Sequence, residues 1–460
     1  MASLSKAGAA LSALREDLSG DVFAPGDPGY DEARVVFNSM VDKRPAVIAQ
    51  CVDEDDVVRA VRFGRELDLN IAVRGGGHSV AGSALNDNGL VVDLRHMRAV
   101  TVHPGAEAVR VAGGATMSDL DRATEPYHLA TTGGRASTTG VGGFVLGGGS
   151  GWLDRWCGLA VDNLLGVELV TADGERVRAS ADENPELFWG LHGGGGNFGV
   201  ATALTLRLHE LPDFAIALLL YLPENGPEAA RTYRDVIAAG PNEASGALIY
   251  FTGPPEEFVP PRLVGTLLCG VLLTYAGTEA DMRKIAEPLL ALPHESEIVG
   301  AMPYADVQCM IDDPPGFRNY WSAEYLTGAP DAYLDLYCAR AASMPVPTGS
   351  MHALFPLGGA IAEGPHEYPV PYRDAPWGVH PFGLWEDPAD DERAVQWVRD
   401  VRADARPWST GAVYLNFIGD EGADRVVAGV GADNARRLGE LKRRYDPDNV
   451  FRFNHNIKPA

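Results

Sequence analysis

Arg74-Gly75-Gly76-Gly77-His78-Ser79 follows the apolar run Asn70-Ile71-Ala72-Val73. The run reads as a buried strand, and the glycines as the loop that ends it. Three residues without side chains let backbone approach a phosphate closely, and their amide hydrogens can turn toward its oxygens. Two further glycine-dense segments follow before residue 200: Gly140-Val141-Gly142-Gly143-Phe144-Val145-Leu146-Gly147-Gly148-Gly149-Ser150-Gly151 and Gly193-Gly194-Gly195-Gly196-Asn197-Phe198-Gly199. Three such loops in succession point to one long phosphate-bearing ligand held along its length.

Around these loops helix and strand signals alternate. Asp53-Glu54-Asp55-Asp56 places acids at a helix start, and Val57, Val58, Val61 and Leu67 supply its apolar face. Strands are predicted at 90–94, 108–112, 165–171 and 200–208. In the last, Leu204, Leu206 and Leu208 alternate with Thr205, Arg207 and His209. After Leu211-Pro212 longer apolar strands (214–222, 247–251, 263–275, 351–357, 378–385) alternate with amphipathic helices (228–239, 279–292, 391–404). That pattern predicts an antiparallel sheet covered by helices on one face. A proline-rich insert, 365–381, cannot be regular helix. From Gly411 onward one strand, one helix and a polar tail ending Phe453-Asn454-His455-Asn456-Ile457 are expected. The fold class is α+β, divided at 1–210, 211–410 and 411–460, with the last segment returning to the first.

A length of 460 residues suits two or three domains. The formal charge of −25 excludes a nucleic-acid or anionic-membrane surface as a general partner, because both need basic residues. Cys51, Cys157, Cys269, Cys309 and Cys338 are unclustered and match neither a zinc site nor a disulfide framework, so no metal is expected. A phosphate-binding Gly-x-x-x-x-Gly-Lys is absent, and no glycine pair carries the dinucleotide fingerprint with its acidic partner, so ATP and NAD are poor candidates. The start of the chain lacks a signal-peptide core, and the longest apolar run is too short to span a bilayer. A soluble cytoplasmic protein is the expectation.

Several side chains have two readings at this level. His78 could cap its turn, or present a neutral imidazole as a nucleophile. Tyr414 and Asn416 share a face if 414–417 is a strand; they are then either an ordinary half-buried pair, or a phenol acting as acid or base beside an amide anchor. Cys157 reads as a small buried hydrophobe. Glu367 is either a solvated loop carboxylate or a general base. Tyr250, Phe251, Tyr320, Trp321, Trp377 and Phe382 could line a moderately apolar pocket or simply fill the core.

Taken in order, these segments resemble the berberine-bridge-enzyme-like branch of the vanillyl-alcohol-oxidase/para-cresol-methylhydroxylase superfamily of FAD proteins, over nearly the whole chain. The resemblance implies an FAD-binding domain from 1–210 plus 411–460 and a substrate domain at 211–410. It implies contacts to FAD from Arg74, Gly75, Gly76, Gly77, His78, Ser79, Thr138, Thr139, Gly140, Gly142, Gly143, Gly148, Gly149, Gly196, Asn197, Gly199, Val200, Asn416, Asn454 and Asn456. It places His78 in a covalent bond to the 8α-methyl carbon of the flavin. A second link is ruled out, because Ala136 stands where many relatives carry the cysteine that makes it. Tyr414 is implied as the proton acceptor, Thr139 as the residue gating oxygen, and Glu367 as a possible catalytic glutamate. The implied activity is an oxidase working on a CH–OH or CH–NH group of a small organic molecule, with hydride transfer to flavin N5 and reduction of O2 to H2O2, as monomer or homodimer. Two alternatives stay open: an oxygenating or dual-oxidation flavoenzyme of secondary metabolism using an N5-oxide, and a non-catalytic flavin-binding protein.

Overall fold

Backbone pairing gathers the strands before residue 211 mainly into two sheets; the computed structural model describes residues 2–312 and 315–460. Val22–Phe23, Val47–Gln50, Leu90–Asp93 and Ile71–Arg74 make the first, in that order, with Leu90–Asp93 parallel to both neighbours. Parallel pairing needs a crossover, and the helix Glu54–Glu66 supplies it. Asp53 caps that helix by accepting from Asp56 N, acids fill its first turn, and Val57, Val58 and Val61 bury its inner face. Val100–His103, Ala108–Ala112, Val200–Arg207, Leu164–Val170 and Arg176–Ser180 form the second sheet, all antiparallel. The predicted alternation holds there: Leu204, Leu206 and Leu208 are buried, while Thr205, Arg207 and His209 are not.

The third sheet runs Ser296–Ala301, Ala215–Tyr221, Leu267–Tyr275, Ala244–Thr252, Met351–Pro356, Trp377–Trp385 and Arg318–Trp321, with Glu324–Leu326 also paired to Trp377–Trp385. Its central strands, such as Ala215–Tyr221 and Leu267–Tyr275, read as nearly unbroken apolar runs because both faces are covered. Ala217, Leu219, Tyr221, Leu248 and Tyr250 pack under the helices Gly226–Ala239, Glu279–Leu290, Asp331–Ala341 and Asp391–Ala405. Ile216, Ala247, Ile249, Ala353 and Phe355 pack on the other side with Ala130, Trp152 and Leu153 of the N-terminal part.

Several predicted boundaries shift for identifiable reasons. The strand expected from 263 begins at Leu267, because Pro260 and Pro261 open a 3₁₀ turn and Gly265 adopts φ +75°. The proline-rich insert is irregular only to about residue 376, and Pro381 lies inside a strand. It is tolerated because Glu324–Leu326 pairs with 377–379 and Arg318–Trp321 with 382–385, leaving His380 and Pro381 in the gap. No strand forms at 414–417. Tyr414 is extended and precedes the 3₁₀ turn Leu415–Phe417, and two helices follow, Ala423–Val430 and Ala432–Tyr445. The segments 296–301, 318–321, 324–326 and 331–341 form elements that local pattern does not signal, because their apolar residues are sparse or lack a clean period. Among the described residues no helix is long and apolar enough to cross a membrane.

The C-terminal segment packs into the core of the first part, where Val413, Leu415, Leu438, Leu441 and Ile457 join Val109, Leu187 and Leu204. A buried cation fastens it. Lys442 Nζ donates to Asn197 O at 2.6 Å, to Phe451 O at 2.9 Å and to Asp446 Oδ2 at 2.7 Å, with both ion-pair side chains fully buried. It joins the third glycine loop to the tail. Removing one partner of a buried pair leaves the other charge uncompensated. Lys442→Met should therefore lower unfolding free energy in a denaturant titration by about 3–5 kcal/mol. A loss under ~1 kcal/mol, the scale of an exposed pair, would show that the clamp is not needed.

Candidate functional site

The three glycine loops converge on one cavity of ≈ 320 Å³, within the range of small-molecule and cofactor sites. Gly75, Gly76, Gly77, His78 and Ser79 form part of its wall; Thr139, Gly140, Gly142 and Gly143 form another; residues 193–196 and Asn197 a third; and Tyr414, Asn416 and Asn454 close it from the C-terminal segment. A Cβ on Gly76 would lie 2.3 Å from Gly140 N, so only glycine lets the first two loops touch. At Gly143 and Gly196 a Cβ would meet nothing within 4 Å. A side chain there would take space that belongs to the cavity.

His78 stacks on Phe37, with ring centroids 4.1 Å apart and planes at 18°, and its Nε2 lies 2.8 Å from Thr138 Oγ1. Burial pushes its pKa down to about 4, so the ring is neutral at physiological pH. Tyr414 is fully buried, and its phenolic oxygen accepts from Asn416 Nδ2 at 2.9 Å and from Gly149 N at 3.0 Å. Asn416 is itself held by Phe144 O at 3.1 Å. Thus Tyr414 and Asn416 stand together as expected, through a turn rather than along a strand. Burial pushes the Tyr414 pKa up to about 12, against the hydrogen bonds from Asn416, Gly149 and Ser150 and the charge of Arg135, all of which favour the phenolate. Desolvation wins.

Eight of the named residues stand outside the wall. Arg74 donates from Nη1 to Ala33 O at 2.8 Å and packs beneath Gly77. Thr138 reaches the site only through its bond to His78. Gly148 and Gly149 lie behind Tyr414, where Gly149 supplies the amide that holds its oxygen. Gly199 fits against Val170 O, which a Cβ would approach to 2.6 Å, and Val200 is buried in the adjoining strand. Asn456 is not in the wall, although its Oδ1 is buried without a partner. Glu367 is exposed, and only its carbonyl is engaged, accepting from Trp189 Nε1 at 2.6 Å. Its carboxylate belongs to a surface loop, which removes it as a base for this cavity.

Ala136 lines the cavity with a methyl group. Cys157 lies outside it, bonded to Thr132 Oγ1 at 3.3 Å, and burial pushes its thiol up to about 12. Of the six aromatic residues suggested as pocket lining, Trp321 and Phe382 qualify. Tyr250, Tyr320 and Trp377 pack with the helix-covered core instead, and Phe251 packs elsewhere in the sheet. The sequence reading missed Phe37 and Arg135. Phe37 carries no local signal. Arg135, a lone cation in the Gly133-Gly134-Arg135-Ala136-Ser137 stretch, could have been noticed as out of place.

The donor set fits the FAD implied by the resemblance. The wall combines bare backbone at three loops, first-turn amides of the helix Val141–Leu146 that lack intrahelical acceptors, and the Asn454 amide, whose Oδ1 is buried and unpaired. Apolar side chains, among them Val73, Leu146 and Phe355, complete it.

Comparison with known proteins agrees. Residues 45–180 match the family described as an FAD binding domain, and residues 413–458 match the family described as berberine and berberine like. The chain is 31% identical to (R)-6-hydroxynicotine oxidase of Paenarthrobacter nicotinovorans, over 96% of this chain and 97% of that one. It is 30% identical to an FAD-linked oxidoreductase of Dictyostelium discoideum, over 96% of each. The crystal structure of 6-hydroxy-D-nicotine oxidase from Arthrobacter nicotinovorans superimposes with a TM-score of 0.86 at 27% identity, covering 96% of this chain and 98% of that one. Berberine bridge enzyme from Eschscholzia californica shares the fold, with a TM-score of 0.86 at 18% identity over 99% of each chain. With the glycine cradle, the paired tyrosine and asparagine and these likenesses in place, the chain belongs to the berberine-bridge-enzyme-like branch of the vanillyl-alcohol-oxidase/para-cresol-methylhydroxylase family and is an FAD-linked oxidoreductase.

Proposed function

We propose that this protein is an oxidase that carries FAD on a single bond to His78, oxidises a CH–OH or CH–NH centre of a small organic molecule, and reduces O2 to H2O2. Residues 1–210 and 411–460 would hold the FAD, and 211–410 would cover the substrate. One observation carries the reading: Tyr414, its buried oxygen gripped by two donors, lines the same cavity as His78 and the glycine cradle. FAD, held by the three glycine loops and Asn454, would supply a two-electron acceptor for hydride from carbon and a route for those electrons to dioxygen. Relatives named for oxidising a hydroxynicotine and chitooligosaccharides support a small organic substrate without choosing between CH–NH and CH–OH.

The chain's own residues then have separable tasks. Tyr414 takes the proton from the substrate hydroxyl or amine at its phenolic oxygen, and Asn416 and the Gly149 amide hold that oxygen in place. Thr139, a medium β-branched residue in the wall, leaves room for dioxygen. His78 offers a neutral nitrogen for the covalent bond, and the methyl of Ala136 offers no second attachment.

Under anaerobic conditions a substrate should bleach the bound flavin, and air should restore the colour with release of peroxide. Tyr414→Phe should slow bleaching by about 10²–10⁴ while leaving the flavin spectrum intact; unchanged bleaching would remove Tyr414 from the mechanism. Because its pKa is about 12, the basic form is scarce at neutral pH and grows as pH rises. The wild-type kcat/KM should accordingly climb through the neutral and mildly alkaline range, and a profile flat there would contradict this assignment.

The attachment is tested by acid precipitation. Wild-type protein should keep its yellow colour in the pellet, and His78→Ala should release all flavin to the supernatant. Flavin retained covalently in the variant would place the bond elsewhere. Since the imidazole titrates near 4, attachment should proceed equally well at mildly acidic and mildly alkaline pH.

A further inference from the structure

Arg135 is the sole arginine or lysine among the described residues of the cavity wall, and it is 7% exposed. Nη1 donates to Ser150 O at 3.3 Å, and Nη2 donates to Gly151 O at 2.8 Å and lies 3.6 Å from Asp154 Oδ2. The guanidinium carbon rests 4.2 Å from the Phe355 ring centroid, on the substrate-side sheet, and 4.7 Å from that of Trp152. Nε is buried with no partner.

Charge does not balance around it. Asp154 accepts from Ser150 Oγ at 2.6 Å and Gly151 N at 3.1 Å, and it neighbours a second buried guanidinium, that of Arg155. Among the described residues Arg155 donates only to the carbonyls of Ala244 and Leu357. Two buried cations therefore share one carboxylate, and a buried charge without a counter-ion is costly. Bracing Ser150 and Gly151 would need donors but no charge. The excess points to an anion.

Two more unpaired groups stand nearby, and both can donate. Trp321 Nε1, in the same wall, is buried without a partner, as are both ring nitrogens of His380. His380 sits in the gap between the two short partner strands, flat on Phe417 (3.9 Å, 9°) and edge-on to Trp321 (5.7 Å, 87°). It lines a small recess that shares Ser150, Phe355 and Phe417 with the main cavity. Burial and the Arg135 charge keep its ring neutral, with one N–H to give.

We propose that the substrate is an apolar body bearing an oxyanion, a carboxylate or an ionised phenol, and that Arg135 binds this group with Trp321 and His380 as further donors. The proposal rests on the oxidase reading and names the substrate class of that site.

Equilibrium dialysis of the FAD-loaded wild-type enzyme tests it with two matched pairs: phenylacetate against phenylacetamide, and 4-nitrophenolate against 4-nitroanisole. At least one anion should bind about 10-fold or more tighter than its neutral partner, the scale of a hydrogen bond to a charged group. The pair that shows the preference identifies the source of the oxyanion. Arg135→Met should reduce the anion's affinity to that of the neutral compound with flavin content unchanged, and Arg135→Lys should recover part of it. Equal binding of anion and neutral partner in both pairs, or no binding of either anion at millimolar concentration, overturns the proposal. So does an Arg135→Met variant that keeps the preference but loses sulfite affinity at the flavin, because the charge then serves the cofactor. The wild-type comparison decides the matter if the variants do not fold. A protein that takes up no flavin refutes the oxidase reading itself, which is a separate failure.

Discussion

The site depends on a backbone-to-backbone contact between Gly76 and Gly140, with no room at either position for a β-carbon. Two residues beyond the first and two before the second, His78 and Thr138 meet at 2.8 Å. A side chain at Gly76 or Gly140 would separate the loops and pull this pair apart. The rest of the molecule holds the contact shut. Asp312 accepts from both Ser137 N and Ser137 Oγ, while Asn38 and Asn319 bond reciprocally across the two parts of the chain. Arg373 and Asp162 form a buried ion pair that ties the proline-rich loop to the glycine-bearing half.

Burial sets the chemistry of the groups that this closure brings together. The same desolvation keeps His78 neutral, as the proposed covalent bond requires, and raises Tyr414, which works against its proposed role as a base. Hydrogen bonds from Asn416, Gly149 and Ser150 and the nearby Arg135 guanidinium oppose the second effect without cancelling it. A weak resting base would suit the proposed oxidation if the proton left together with the hydride, because a substrate hydroxyl or amine grows more acidic as its carbon is oxidised. Burial also raises the Cys157 pKa, although the side chain is half-buried rather than fully buried as its reading as a small hydrophobe expects.

Much of this was legible in the residues because it follows from local rules. The acids of 53–56 set a helix start, the Leu204-Leu206-Leu208 alternation set a strand, and glycines in three clusters set the cradle. Errors arose where tertiary context overrode local pattern. Tyr414–Phe417 looks like a strand, but among the described residues no strand pairs with it, and Asn416 bonds instead to Phe144 O. Pro381 looks like a breaker until the gap between two partner strands is seen. Glu367 could not be placed by sequence because its position depends on the path of a loop without periodicity. Arg135 and Phe37 act through contacts with residues far away in the chain, which no local spacing encodes.

The central claim is that the bare backbone of the three loops exists to seat a flavin. Flavin absorbance per polypeptide tests it most directly, in Gly143→Val against the control Gly300→Val. At both positions a Cβ would meet nothing within 4 Å, but Gly143 lines the cavity and Gly300 lies on the edge strand Ser296–Ala301. The account predicts a folded Gly143→Val protein stripped of most of its flavin and a Gly300→Val protein as yellow as wild type. Equal flavin content in the two would contradict it.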